Sequence, residues 1–206
     1  AGSLIPLVKK PVLTSKDVVA FLQVLASEKD IARFEATKEL DFSYAAIERT
    51  RFRGNAFYQK GEISIALRHI PNSIRTFAEL GLPPILEMFI ERPQGFFLCV
   101  GPVGQGKSTT LAAMIDLINA TRSEHIVTIE DPIEYIFEPK KCLIEQREVG
   151  LDTENFQTGL HSAFRQDVDI IMVGEMRGKD TIGTAVTAAE TGHLVMSTLH
   201  TNNASQ

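Results

Sequence analysis

The run Gly101-Pro102-Val103-Gly104-Gln105-Gly106-Lys107-Ser108 has the spacing G-x-x-x-x-G-K-[ST], which is that of a phosphate-binding loop. Glycines let consecutive backbone N–H groups curl around a phosphate, and the N-terminus of a following helix adds positive potential. Lys107 is expected to reach the β- and γ-phosphates of a nucleotide and Ser108 to ligate Mg²⁺, with Thr109 completing the run. A glycine turn carrying a surface lysine is the bland alternative. The apolar run before Gly101 and the helical stripe after Lys107 argue against it.

Acidic and imidazole groups follow where hydrolysis would need them. Glu130-Asp131-Pro132 stands at the end of an apolar run, with Glu134 beyond it. In a parallel sheet the carboxyl ends of the strands share one edge with a phosphate loop, so carboxylates there can polarise a water that attacks the γ-phosphate. Residues 170–173 form a second apolar run, opened by Asp169, which leads into Gly174-Glu175. Many phosphate-loop proteins carry an Asp directly after such a strand. Gly174 stands there in this chain, leaving Glu175 to serve Mg²⁺ through water or to orient the nucleophile. Asp169 lies at the wrong end for either role. His193 and His200 flank a third run at a separation on the order of 20 Å, too far apart to touch one phosphate together. His200 and Thr201 are expected to sense phosphate, whereas His193 is expected to be structural.

These groups need elements to hold them. The runs 96–100, 125–129, 170–173 and 194–199 read as strands buried on both faces. Leu111, Met114, Ile115 and Ile118 form one helical stripe, and 181–190 reads as a second helix ended at Gly192. Strands alternating with helices predict an α/β fold with a mainly parallel sheet. Upstream, Thr14 to Asp17 is a capping box, and Val18, Phe21, Leu22 and Leu25 follow as the stripe of an amphipathic helix. From Leu40 the period changes to two. Phe42, Tyr44 and Ala46, then Phe52, Ala56 and Tyr58, then Ile63, Ile65 and Leu67 predict three half-buried antiparallel strands. Arg51, Arg53 and Asn55 share the face opposite Phe52 and Ala56, and Arg68 points away from Leu67; on pattern alone they are a solvated strand face. The expected division is a small α+β domain over 1–73 and an α/β domain over 74–206.

Composition removes several classes. Of the 206 residues, 44% are hydrophobic and 23% charged, which excludes collagen-like and disordered chains. With 21 basic against 26 acidic residues the net charge is −5, so nucleic acid is not an expected partner. The two cysteines, Cys99 and Cys142, lack a CxxC spacing; a disulfide scaffold and a four-cysteine zinc site are excluded. Free cysteines fit a reducing cytoplasm. No apolar stretch approaches the roughly 18 residues that span a bilayer. The opening AGSLIPLVKKP has neither an initiator Met nor the order of a signal peptide, and reads as the start of a piece cut from something longer.

Taken together, GPVGQGKSTT, TIEDPIEY, DIIMVGEMR and TGHLVMSTLHTN resemble, in order, the Walker A, Asp, Walker B and His boxes of the secretion-ATPase superfamily, most closely its type IV pilus retraction ATPases. EQREVGLDTENF and RFRGNAFYQ also read as this family, and the resemblance runs from Leu13 onward. It implies a RecA-type ATPase domain preceded by a small PAS-like domain, with the C-terminal part of the fold beyond Gln206, assembled as a homo-hexamer. The implied activity is Mg²⁺-dependent ATP hydrolysis driving pilus retraction, in the cytoplasm and peripheral at the inner membrane, with the pilus platform protein as partner. By the same match Glu130 is the water-activating base, Glu175 acts through the Mg²⁺ shell, and His200 belongs to the His box. Arg53 and Arg68 match arginines that reach nucleotide near the domain or subunit junction. Val103 and Gln105 depart from the Thr and Ser common in this family, with little consequence because both positions work through backbone N–H. A pilus-assembly or type II secretion ATPase would share the chemistry under a different load. A nucleotide-binding scaffold without turnover, or a phosphate-loop kinase, would share only the loop.

Overall fold

Helix formation starts at the capping signal in the computed structural model of the chain, which describes residues 5–7, 9–46, 50–71, 73–176 and 178–200. The Thr14 side chain accepts from the Asp17 N–H, and the Asp17 carboxylate accepts from the Thr14 N–H at 2.7 Å. This reciprocal cap opens α1, Ser15–Leu25, by satisfying two backbone donors that the first turn would otherwise leave free. Only Leu22 of the expected stripe is fully buried, while Phe21 is half exposed. The place expected for Phe21 goes to a second helix that periodicity alone did not separate, α2, Glu28–Thr37. Its Phe34 is buried and stacks on Tyr58 with ring centroids 5.1 Å apart.

The three strands follow as the period of two requires: β1, Glu39–Ala45; β2, Arg51–Gln59; β3, Glu62–Ile70. They form an antiparallel sheet in the order β1-β2-β3. Leu40, Phe42 and Ala56 bury with Leu22 and Phe34, and the cluster reaches Ile63 and Ile65. It stops short of Leu67, which is exposed rather than inward-facing as its alternation implied. Phe42 lies directly opposite Gly54, where an added Cβ would come within 2.2 Å of its ring. The same register sets Arg53 directly opposite Arg68.

The chain divides here into two units, Ala1–Ile70 and Pro71–Gln206. In the second, short helices α3, Phe77–Leu80, and α4, Glu87–Ile90, lead into β4, Gly95–Val100. Then follow α5, Lys107–Thr121; β5, His125–Glu130; β6, Leu143–Glu148; α6, Phe156–Ala163; β7, Ile170–Val173; α7, Lys179–Glu190; and β8, Leu194–Leu199. All five strands are parallel, in the order β4-β8-β7-β5-β6. The four expected strands are present. β6 is an addition, because LIEQRE at the sheet edge is two apolar residues followed by four polar ones, with neither an alternating pattern nor a continuous apolar run.

Each face of the sheet is covered, as parallel strands require. Leu111, Met114, Ile115 and Ile118 of α5 bury one face with Ile126, Ile170 and Met196. Leu160 and Ala163 of α6 and Ala185 and Ala188 of α7 cover the other with Val127, Ile129 and Ile171. The result is an α/β fold whose parallel strands bring the residues after β4, β5, β7 and β8 to one edge. Among the described residues no helix is long and apolar enough to cross a membrane.

Candidate functional site

The loop between β4 and α5 curves because its glycines take backbone angles closed to other residues. Gly104 and Gly106 have φ of 81° and 83°, the left-handed region in which a Cβ is penalised. Gly106 is the N-cap of α5, yet no side chain caps that helix and no acidic residue stands in its first turn. Helices α1, α2 and α3 are capped by Thr14, Ser27 and Thr76. The leading N–H groups of α5 are therefore left without a side-chain acceptor, which leaves them open to an anion. Gly101 is buried and Ser108 and Thr109 are half-buried, while Pro102, Val103, Gly104, Gln105 and Gly106 are exposed.

Lys107 is buried, and its ammonium donates to the carbonyl oxygens of Gly101 and Pro102, each at 2.8 Å. A third contact, at 3.4 Å, goes to Nδ1 of His200 just after β8. Lysine can only donate, so that ring nitrogen is the acceptor and Nε2 carries the proton. Nε2 lies 3.7 Å from the Glu175 carboxylate. His200 thus stands between the lysine of the phosphate loop and the glutamate after β7. Thr201, expected beside it, lies outside the described residues.

Glu130 ends β5 and is 4% exposed. Its Oε1 accepts from the Thr128 hydroxyl at 2.7 Å and from the Gln146 amide at 3.3 Å, and its Oε2 accepts from the Glu134 N–H at 3.2 Å. Burial pushes the carboxyl up to about 7; the three donors oppose this, and the charge of Glu134 adds to it. Gly174 stands just after β7, in the place where an Asp was looked for. A Cβ there would lie 3.3 Å from the Cα of Glu130, so a bare backbone lets the two strand ends approach.

Four contributors were not singled out by the sequence reading, although Thr128 and Tyr135 lie within TIEDPIEY and Gln146 and Glu148 within EQREVGLDTENF. The Tyr135 hydroxyl is 2.9 Å from that of Thr109, tying the loop after β5 to the first turn of α5. Glu148, paired in register with Glu130, is buried and accepts from the Ile133 N–H at 3.2 Å. Register pairs Thr128 with Gln146 and Glu130 with Glu148 on one sheet face, but residues 145–148 are all polar, so no alternation in β6 marked them in advance. At the other edge Asp169 accepts from the His125 N–H, and His193 binds the Ala188 carbonyl against the Phe164 ring. Those are structural contacts. Arg53 and Arg68 belong to the N-terminal unit and face one another there.

A family model described as type II/IV secretion system protein matches residues 3–206. The chain is 48% identical over 196 residues to the type IV pilus retraction ATPase PilT of Pseudomonas aeruginosa, covering 95% of this chain and 57% of that protein. It is 43% identical over 205 residues to the type IV pilus ATPase PilU of the same organism, covering 100% of this chain and 53% of that one. A crystal structure of the pilus retraction motor PilT with bound ADP superposes with a TM-score of 0.88 at 50% identity, covering 91% of this chain and 55% of that one. The chain spans about half the length of the curated relatives it matches.

Proposed function

Because the chain belongs to the type II/IV secretion system protein family, we propose that it is the nucleotide-binding part of a Mg²⁺-dependent ATPase that drives type IV pilus retraction and hence twitching motility. The observation that carries this reading is the gathering of Lys107, Glu130, Glu175 and His200 at the carboxyl edge of one parallel sheet. Ligands bind at that edge in open α/β sheets.

The backbone of Gly101 to Thr109 cradles the phosphates. Phosphate oxygens outbid the neutral carbonyls of Gly101 and Pro102 for the Lys107 ammonium. Glu130 accepts a proton from the attacking water, and a carboxyl held at about 7 suits a base working near neutrality. The Ser108 hydroxyl and the Glu175 carboxylate are hard oxygen donors, the chemistry Mg²⁺ prefers, with Glu175 acting through water. Mg²⁺, when bound, neutralises phosphate charge. His200 couples the phosphate-bound lysine to Glu175. Arg53 and Arg68 bring positive charge to nucleotide across a domain or subunit junction of a homo-hexamer.

In this reading the N-terminal unit is the small PAS-like domain and the second unit the RecA-type domain. The ring sits in the cytoplasm against an inner-membrane pilus platform protein. Relatives named for retraction, similar in both sequence and structure, support retraction over assembly or type II secretion.

Lys107→Ala tests the nucleotide assignment directly. Titration with a fluorescent ATP analogue should give at least about tenfold weaker binding, since the phosphate bonds lost are charge-assisted. Unchanged affinity would sink the assignment. Tight binding by the unmodified chain without phosphate release would leave a scaffold.

A further inference from the structure

We propose that Gln146 is a positioning residue for Glu130: one amide from the neighbouring strand holds both the carboxylate and the loop that follows it. The inference rests on reading Glu130 as the base. Gln146 Oε1 accepts from the Phe137 N–H at 2.8 Å, while Nε2 donates to the Tyr135 carbonyl at 2.7 Å and to Glu130 Oε1 at 3.3 Å.

The two backbone contacts settle which end of the amide is which. A flipped Gln146 would set its NH₂ against the Phe137 N–H and its oxygen against the Tyr135 carbonyl, two repulsive pairs in place of two hydrogen bonds. The donor end is thereby forced toward Glu130. One backbone amide and one carbonyl, which cannot titrate, thus orient the group that faces the base.

The clamp has a second consequence. The loop segment gripped at Tyr135 and Phe137 carries the Tyr135 hydroxyl that meets Thr109 in the first turn of α5. Gln146 therefore links the carboxylate of β5 to the phosphate loop through one side chain and one ring. Among the described residues, Glu134 from its own loop acts on Glu130 by its charge and Glu148 of β6 is its register partner, while Gly174, just after β7, sets a bare backbone beside it. Removing a donor from this set leaves two carboxylates and the burial that already disfavours charge on Glu130.

The test uses steady-state ATP turnover of the full chain across pH. Gln146→Met, which keeps the length and loses the amide, should lower kcat about tenfold and leave KM within about twofold. It should also move the acid limb of the kcat profile upward by roughly half to one pH unit. Gln146→Glu keeps the acceptor for the Phe137 N–H and sets an oxygen against Glu130, so its limb should move further in the same direction. This variant carries the test if the first fails to fold. A Glu130→Gln arm separates the two claims. Normal turnover in Glu130→Gln overturns the base itself. If Glu130→Gln is dead yet the Gln146 variants keep the unmodified profile, only the positioning role falls. A kcat loss matched by weakened ADP binding, with an unmoved acid limb, overturns it as well, since simple loosening of the fold would do that.

Discussion

The ammonium of Lys107 lies 3.4 Å from Nδ1 of His200, joining the first residue of α5 to the residue after β8 across 93 positions of sequence. The contact makes His200 one of three acceptors around the lysine, and the only one that also approaches Glu175 among the described contacts. His200→Ala leaves the two carbonyls in place. Its ADP affinity should stay within about threefold, while ATP turnover falls about tenfold or more. Equal losses in both would make the histidine a prop for the loop.

The buried carboxyl of Glu130 also sets a pH-dependent stability. Its value rises from 4.5 to about 7 on folding, so its favourable contribution is fully present below about 4.5 and is lost as pH climbs through about 7. The gap corresponds to roughly 3 kcal/mol at most. Glu130→Gln carries no charge to bury. Its denaturant midpoint should exceed that of the unmodified chain at about pH 8.5, and the advantage should close toward about pH 5. An advantage that does not vary with pH would mean that ionisation of Glu130 costs the fold nothing.

Arg53 and Arg68 sit directly opposite one another on β2 and β3. Like charges in that position cost a few tenths of a kcal/mol to about 1 kcal/mol, and an anion between them would relieve it. If that anion is nucleotide phosphate at a subunit junction, turnover per subunit should rise with protein concentration. Arg53→Ala/Arg68→Ala subunits mixed with Lys107→Ala subunits should recover activity, because some interfaces then pair an intact loop with intact arginines. Turnover independent of concentration, with no rescue in the mixture, would return both residues to an ordinary strand face.

Local signals were legible because their causes are local. The glycine spacing around Lys107 encodes positive φ angles, and Thr14 with Asp17 encodes a cap within one turn. The stripe from Leu111 to Ile118 encodes a helix with an apolar face turned to the sheet. Each can be read because its physics spans only a few residues.

What the tertiary structure decided is every property that depends on pairing between distant segments. LIEQRE has no strand signature alone; it becomes β6 because β5 supplies its ladder, and only that pairing sets Gln146 and Glu148 beside Glu130. Phe34 rather than Phe21 fills the N-terminal core because α2 turns back onto β1. Gly174 was visible as a missing Asp, but the closeness of the Glu130 backbone to it appears only once β7 lies against β5. The raised carboxyl of Glu130 follows from burial by all of these elements together. Burial and electrostatics are summed over neighbours in space, and one strand's residues name only half of those neighbours.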